Sequence, residues 1–129
     1  MSTNTEIISS FFTALDAANL GYPISYPSIT FQTPSTGNWL EVSFMPNEGI
    51  DQGIKSPTVV KQGLFQINVC GKPDGGSIPL YTISEQVAAV FPKNTVITGN
   101  VRISKTPYNT DIISLDDRQL LPLTMMYSE

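Results

Sequence analysis

The segment from Gln62 to Pro92 constrains the fold of this chain most strongly, because a glycine-rich turn joins two different hydrophobic periodicities in it. Its first part alternates apolar and polar residues with a period of two, which predicts a strand with one buried face. The residues from Gly71 to Gly76 are typical of a tight turn. Ser77 occupies a possible helix-cap position, and the following apolar residues have helical spacing, so we expect an amphipathic helix that Pro92 ends.

A first helix is predicted at the start of the sequence. Thr3 and Glu6 have the spacing of a capping box, in which the hydroxyl and the carboxylate each cap a free backbone N–H. Apolar residues recur on one helical face as far as Leu15. Gly21 and Pro23 then predict that the helix ends near residue 19.

Further strands are expected on either side of the central segment. Trp39–Pro46 alternates cleanly, and a weaker alternation spans Ile29 and Phe31. After the second helix we expect one strand over Thr95–Ser104, a turn, and a partner strand at Ile112–Leu115 that pairs back on it.

A last strand is predicted over Leu121–Tyr127, where apolar residues occupy alternate positions. Pro122 lacks a backbone donor, so we expect this strand to lie at an edge of the sheet or Pro122 to lie at its start. An edge strand needs protection from other chains, which makes Pro122 a candidate interface residue.

Together these elements predict a single α+β domain over residues 1–129. Two helices would pack on one mainly antiparallel or mixed β-sheet in a two-layer arrangement. A chain of 129 residues is long enough to bury a core without disulfides or metals.

The segment from Met45 to Gln62 is predicted to be a long loop, and it is the main functional candidate in the sequence. It is rich in glycine and proline, so its aliphatic residues are hard to place in a core. We expect them to contact another subunit or a partner protein. These residues are Ile50, Ile54, Val59 and Val60.

The composition argues against most enzyme chemistry. The chain has no histidine and one cysteine, Cys70, which excludes a Ser-His-Asp or Cys-His site and the usual zinc ligands within one chain. Asp111, Asp116 and Asp117 offer oxygen ligands for Mg²⁺ or Ca²⁺, but aspartates between strands are more often turn residues. We therefore expect no catalytic residues, no metal and no cofactor.

Other binding signals are weak. The Gly71–Ser77 turn precedes a helix, as phosphate-binding loops do, but its spacing does not match a nucleotide-binding motif. Trp39 and Tyr22, Tyr26 and Tyr81 fit either an interface or the core. A net charge of −4 does not favour nucleic acid, and no stretch has the length and hydrophobicity to cross a bilayer, so we expect a soluble protein without a membrane partner.

The order of these features resembles that of the phage tail terminator proteins of the lambda minor tail protein U type. The similarity covers most of the chain, namely the N-terminal helix, WLEVSFMP, the long polar loop, QGLFQINV with its Gly-rich turn and helix, and the last strand ending in LPLTMMY. No single motif is specific, and the resemblance depends on their order and spacing.

The resemblance implies a structural virion protein. Such a protein forms a homo-oligomeric ring, expected to be a hexamer, that caps the tail tube, ends its polymerisation and offers a surface for head-tail joining. Its implied partners are the tail tube protein and a neck or head-completion protein, with DNA passing through the bore without specific binding. It would be assembled in the host cytoplasm and reside in the virion tail.

Three alternatives remain at this stage. One is a different head-tail neck or completion adaptor. The others belong to different classes, a small metalloenzyme using Asp111, Asp116 and Asp117, and a monomeric ligand-binding module of the same α+β shape.

Overall fold

The fold is described from a computed structural model. It describes residues 3–27, 37–46, 50–52, 58–60, 62–73 and 75–129. In these ranges the helices and strands are, in chain order, α1 (Asn4–Ala17), β1 (Ile24–Ser25), β2 (Trp39–Pro46), β3 (Ile50–Gln52), β4 (Thr58–Val60), β5 (Gln62–Gly71), α2 (Ile78–Ala88), β6 (Val96–Thr98), β7 (Val101–Ile103), β8 (Tyr108–Asn109), β9 (Ile113–Ser114) and β10 (Gln119–Ser128).

Helix α1 begins and ends as the sequence predicts. The Thr3 side chain accepts a hydrogen bond of 3.1 Å from the backbone N–H of Glu6, which satisfies one of the free donors at the helix start. After Ala17 the chain leaves the helix through Asn19, whose φ is +48°. Asparagine tolerates this left-handed conformation better than most residues, and Gly21 follows with a φ of +88°.

Helix α2 differs in detail from its prediction. Ser77 lies at the N-cap position, but its side chain makes no capping hydrogen bond, and Pro79 lies in the first turn. The helix ends at Ala88, so Val90, Phe91 and Pro92 all lie beyond it. Phe91 nevertheless remains fully buried, because the chain after the helix folds back onto the core.

The main sheet is mixed, with β10 near its centre. Its strand order is β1-β2-β5-β10-β7-β6, and β8 and β9 also pair with β10. Strands β1 and β2 are parallel, whereas the other pairs are antiparallel. All ten residues of β10 pair with β5, so β7, β8 and β9 share the opposite edge of β10. The predicted α+β class is confirmed.

The core lies between the two helices and one face of this sheet. Phe11 of α1 stacks on Phe65 of β5, with ring centroids 4.0 Å apart. Alternate residues of β2, β5 and β10 point to the same side, as the two-residue period requires. The buried residues of these strands in the cluster are Leu40, Val42, Phe65, Ile67, Val69, Leu121, Leu123, Met125 and Tyr127.

The expected edge position of Pro122 is wrong. Pro122 is buried in the middle of β10, opposite Asn68 of β5. Its carbonyl accepts a hydrogen bond from the N–H of Thr110 at 3.3 Å, on the edge that β8 and β9 share. The backbone N and C=O groups of one residue point to the same edge of a strand. The nitrogen of Pro122, which has no hydrogen to donate, therefore faces the gap between β8 and β9. A central strand therefore tolerates this proline.

The predicted pairing after α2 is also wrong. Thr95–Ser104 is not one strand, because Gly99 and Asn100 form a turn that divides it into the β6–β7 hairpin. The segment Ile112–Leu115 contains β9, which pairs with β10 instead of returning to β7. The alternation in the sequence predicts extended structure here but does not reveal the turn within it.

The segment predicted to be a loop contains secondary structure. Strand β2 extends to Pro46 and β5 begins at Gln62, which shortens the connection between them. Strands β3 and β4 pair with each other as an antiparallel two-stranded sheet outside the main sheet. The expected strand at Ile29 and Phe31 lies outside the described residues.

Candidate functional site

The structure places the predicted interface residues that it describes in two different settings. Ile50 and Val60 are directly opposed in the β3–β4 pair, and Val59 is opposed to Asp51. Ile54 lies outside the described residues. Pro122 is buried in the centre of the main sheet, so it does not offer a surface to a partner in the folded chain.

The three aspartates considered for metal binding do not form a site. Asp111, Asp116 and Asp117 are exposed. Asp117 accepts two hydrogen bonds of 3.1 Å from Arg118, so its carboxylate has a cation partner. Within the part of the chain that the structure describes, no group of three potential metal-ligating residues comes together.

The most connected polar cluster surrounds Glu41 on the sheet face opposite the helices. Oε2 of Glu41 lies 2.9 Å from Nε of Arg118 and accepts hydrogen bonds from the Cys70 thiol at 2.9 Å and the Trp39 indole N–H at 3.3 Å. The register of β2 and β5 explains this meeting, because Trp39 is directly opposite Cys70. The cluster links β2, β5 and the segment before β10, so we assign it a structural role.

The electrostatics of the cluster make the thiol unreactive. Burial raises the pKa of Cys70, and the hydrogen bond from the thiol to Glu41 and the negative charge of Glu41 raise it further. For Arg118, burial lowers the pKa, but the charges of Glu41 and Asp117 outweigh burial and leave the pKa raised. Arg118 lowers the pKa of Cys70, but burial and Glu41 outweigh it, so the thiol stays protonated and is not an activated nucleophile.

The turn before α2 also lacks the features of an anion site. Its backbone is closed by a hydrogen bond of 3.1 Å from the N–H of Gly75 to the carbonyl of Lys72. Pro79 removes one of the donors that the first turn of α2 would otherwise present. The turn therefore serves chain reversal, as its sequence allowed.

The aromatic candidates divide between core and surface. Trp39 is buried with Cys70 and Leu120, whereas Tyr81 is exposed on α2. Tyr22 donates a hydrogen bond to Gln86, which ties the segment after α1 to α2. Tyr26 donates to Asp16, and burial, this bond and the Asp16 charge raise the pKa of Tyr26.

A shallow cavity of about 330 Å³ lies between α1 and β6. The cavity lining has no ionisable side chain, so it offers no acid–base chemistry. Its lining residues are Ser9, Ser10, Thr13, Ala14, Ala17 and Ile97. No helix among the described residues is long and apolar enough to span a bilayer.

A row of exposed apolar residues lies beside β10, and no pattern in the sequence predicts it. They lie on or next to the short strands along the edge that β7, β8 and β9 share, which we call the β10 outer edge. Because the pairing of these strands was predicted wrongly, no sequence signal placed them together. The exposed residues are Val96, Tyr108, Ile113 and Leu115.

Comparison with known proteins identifies the family. The sequence profile described as "Phage tail terminator protein" matches residues 6–127. Among solved structures, one with 22% sequence identity superposes with a TM-score of 0.79 and covers 99% of this chain and 96% of its own, which shows the same fold. No curated protein sequence matches the chain. The match over nearly all of the chain shows that it belongs to the phage tail terminator family, and its role is structural, in phage tail assembly.

Proposed function

We propose that this protein forms a ring, expected to be a hexamer, that caps the growing tail tube and ends its polymerisation. The free face of the ring then provides the surface for a neck or head-completion protein. The observation that carries this proposal is the family match over residues 6–127. The implied partners are further copies of the chain, the tail tube protein and the neck protein.

The β3–β4 pair supports a role for the segment 45–62 in this assembly. A two-stranded antiparallel sheet is marginally stable alone in water, and β3 and β4 do not join the main sheet. Contact with a neighbouring subunit or the tail tube would stabilise this pair. We propose that Ile50, Ile54, Val59 and Val60 belong to this contact.

The charge of the chain suits a ring around DNA. At a net charge of −4, the subunit as a whole repels the phosphate backbone. DNA can then pass through the bore without specific binding. This favours a conduit over a DNA-binding role.

The test is electron microscopy of tail tube protein polymerised with and without this protein. We expect tubes of limited length with a ring at one end when the protein is present. Tubes of unchanged length without terminal rings, at an excess of this protein, would overturn the proposal. Binding to head or neck complexes without any effect on tubes would instead assign the protein to another part of the head-tail connection.

A matched variant tests the segment 45–62 separately. Replacing Gly49–Thr58 by a short Gly-Ser link should leave the main sheet folded, because the described strand within it, β3, pairs with β4 and not with the main sheet. Circular dichroism and thermal melting check that fold. We expect this variant to lose capping, and a variant that still forms rings and caps tubes would show that the segment is dispensable.

A further inference from the structure

The β10 outer edge carries opposite charges at its two ends. At one end three basic residues, Lys93, Arg102 and Lys105, outnumber one acidic side chain, Glu129, which follows Ser128 opposite Arg102. At the other end Asp111, Asp116 and Asp117 lie within the segment 111–117. The three basic residues and the three aspartates are all exposed.

The register of β10 separates these ends in space. Arg102 of β7 is opposite Ser128, whereas Ser114 of β9 is opposite Gln119. Nine residues of extended strand span roughly 30 Å at the usual rise per residue. For the outermost charges this distance is about three Debye lengths at ~0.1 M salt, so they interact weakly within one copy. Lys105 and Asp111 lie nearer the middle of the edge, because Tyr108 is opposite Thr124 and the N–H of Thr110 donates to the carbonyl of Pro122.

Each end also exposes apolar side chains beside its charges. At the basic end Val96 is 52% exposed and Tyr108 is 38% exposed. At the acidic end Ile113 is 47% exposed and Leu115 is 40% exposed. Apolar residues surrounded by charged ones are the usual composition of a protein–protein contact.

One basic side chain is held in place. The amino group of Lys105 lies 4.7 Å from the centre of the Tyr108 ring, the distance of a cation–π contact. The lysine therefore presents its charge next to the exposed ring, and the two side chains form one surface. An ordered surface loses less conformational entropy when a partner binds.

We propose that the β10 outer edge joins copies of this chain head to tail, with the basic end of one copy against the acidic end of the next. The inference rests on the proposed ring and names the surface that closes it. Two different complementary patches on one chain make a heterologous contact, which gives a closed ring when the rotation between copies is suitable. The occupant of the edge is a second copy, because that copy carries both the opposite charges and the matching apolar residues.

Duplex DNA fits the edge less well. The DNA phosphates would pair with the three cations, but they would gain nothing from contact with exposed Val96 and Tyr108. The negative net charge of the chain also repels them. A two-fold dimer would use the same charges, and the size of the assembly distinguishes it from a ring.

The test uses two double charge reversals in the full chain, Lys93→Glu with Lys105→Glu and Asp111→Lys with Asp116→Lys. These residues are exposed, and Asp117 is left unchanged because it holds Arg118. Sedimentation velocity, with tail tube protein added if needed to induce assembly, measures the mass of the assembly. Lys72→Glu with Glu85→Lys is the matched control, because both residues are exposed and lie outside the edge.

Each reversed variant alone should assemble at least about 10-fold more weakly than the wild type, since like charges then meet in every contact. An equimolar mixture of the two variants should recover assembly, because every contact between unlike copies is again complementary. Raising the salt from about 0.1 M to about 1 M should weaken wild-type assembly, because screening shortens the reach of the charges. Loss of folding would not produce recovery on mixing.

Three results would overturn the inference. If the wild type forms rings and the reversed variants assemble equally well, this surface does not join the copies, although the proposed ring itself stands. A wild type that stops at a dimer would show a two-fold contact. Reversal of Lys93 and Lys105 that abolishes binding to a labelled DNA duplex without changing self-association would assign the basic end to nucleic acid. A wild type that never assembles, even with tail tube protein, would refute the proposed ring itself.

Discussion

Arg118, immediately before β10, contacts Glu41 in β2 across β5, with Nε 2.9 Å from Oε2. This short contact between Nε and Oε2 is an ion pair without the geometry of a hydrogen bond. A second guanidinium nitrogen, Nη2 of Arg118, donates a hydrogen bond to Oε1 of Glu41 at 3.4 Å. The side chains are 26% and 28% exposed, so solvent screens the pair only in part. The pair holds the entry to β10 against the outer side of the sheet.

Arg118→Met should lower the free energy of unfolding by about 1–2 kcal/mol, between the values of exposed and buried ion pairs. The loss arises because Glu41 keeps its charge without its cation. Urea unfolding measures the change. Glu41→Gln with Arg118→Met should cost less than the sum of the single changes, and strict additivity would show that the two residues are not coupled.

Tyr127 presents a buried hydroxyl that has no hydrogen-bond partner among the described residues. Burial also raises its pKa. Tyr127→Phe removes the unsatisfied group while keeping the ring that stacks on Phe44, so stability should stay equal or rise by up to about 1 kcal/mol. Thermal unfolding measures this difference.

Tyr26→Phe is the matched control for that change. Its hydroxyl donates to Asp16, so its removal should cost about 1–2 kcal/mol. A large loss in Tyr127→Phe, comparable to that in Tyr26→Phe, would show that the Tyr127 hydroxyl has a partner after all.

Gly63 of β5 has no side chain and so leaves space for the Tyr127 side chain of β10. A Cβ atom at this glycine would lie 2.6 Å from the Tyr127 hydroxyl oxygen and 2.8 Å from the Met45 carbonyl oxygen. Gly63→Ala should therefore destabilise the protein by about 1–3 kcal/mol, as overpacking does. Chemical unfolding of Gly63→Ala and Gly75→Ala gives the comparison, because the closest atom to a Cβ at Gly75 is 3.3 Å away. Equal effects at both positions would contradict the packing argument.

Cys70 should make stability fall with pH in the alkaline range. The pKa of Cys70 is raised in the folded chain above its unfolded value of about 8.5. At a pH between these two values, the unfolded chain releases the thiol proton and the folded chain keeps it. The stabilisation is fully present below the unfolded pKa and is lost as pH rises, at up to about 1.4 kcal/mol per pH unit.

Urea midpoints of the wild type and Cys70→Ser between about pH 7.5 and about pH 9.5 check this slope, because serine does not titrate in that range. The tyrosines with raised pKa values begin to contribute only near pH 10. Parallel curves for the two proteins would show that the thiol does not control the alkaline loss.

The sequence allowed good predictions where local chemistry decides the structure. Thr3 and Glu6 fixed the start of α1, and the alternation in β2, β5 and β10 identified the core face of the sheet. Such patterns need only a few neighbouring residues to be read.

The errors that matter most for the site concern pairing between distant residues. Pro122 argues for an edge when read alone, and only the gap between β8 and β9 makes a central position possible. The partners Glu41 and Arg118 are 77 residues apart in the chain, so no local pattern joins them. The β10 outer edge was missed for the same reason, because its residues become neighbours only through β10.

The central position of β10 has a consequence for synthesis on the ribosome. Strands β5 and β7 are translated before residues 119–128, and each pairs with β10 but not with the other. Until β10 is translated, these strands lack their common partner, and their apolar faces favour aggregation and chaperone binding. A nascent chain stalled before residue 119 would therefore lack the strand that joins β5 to β7.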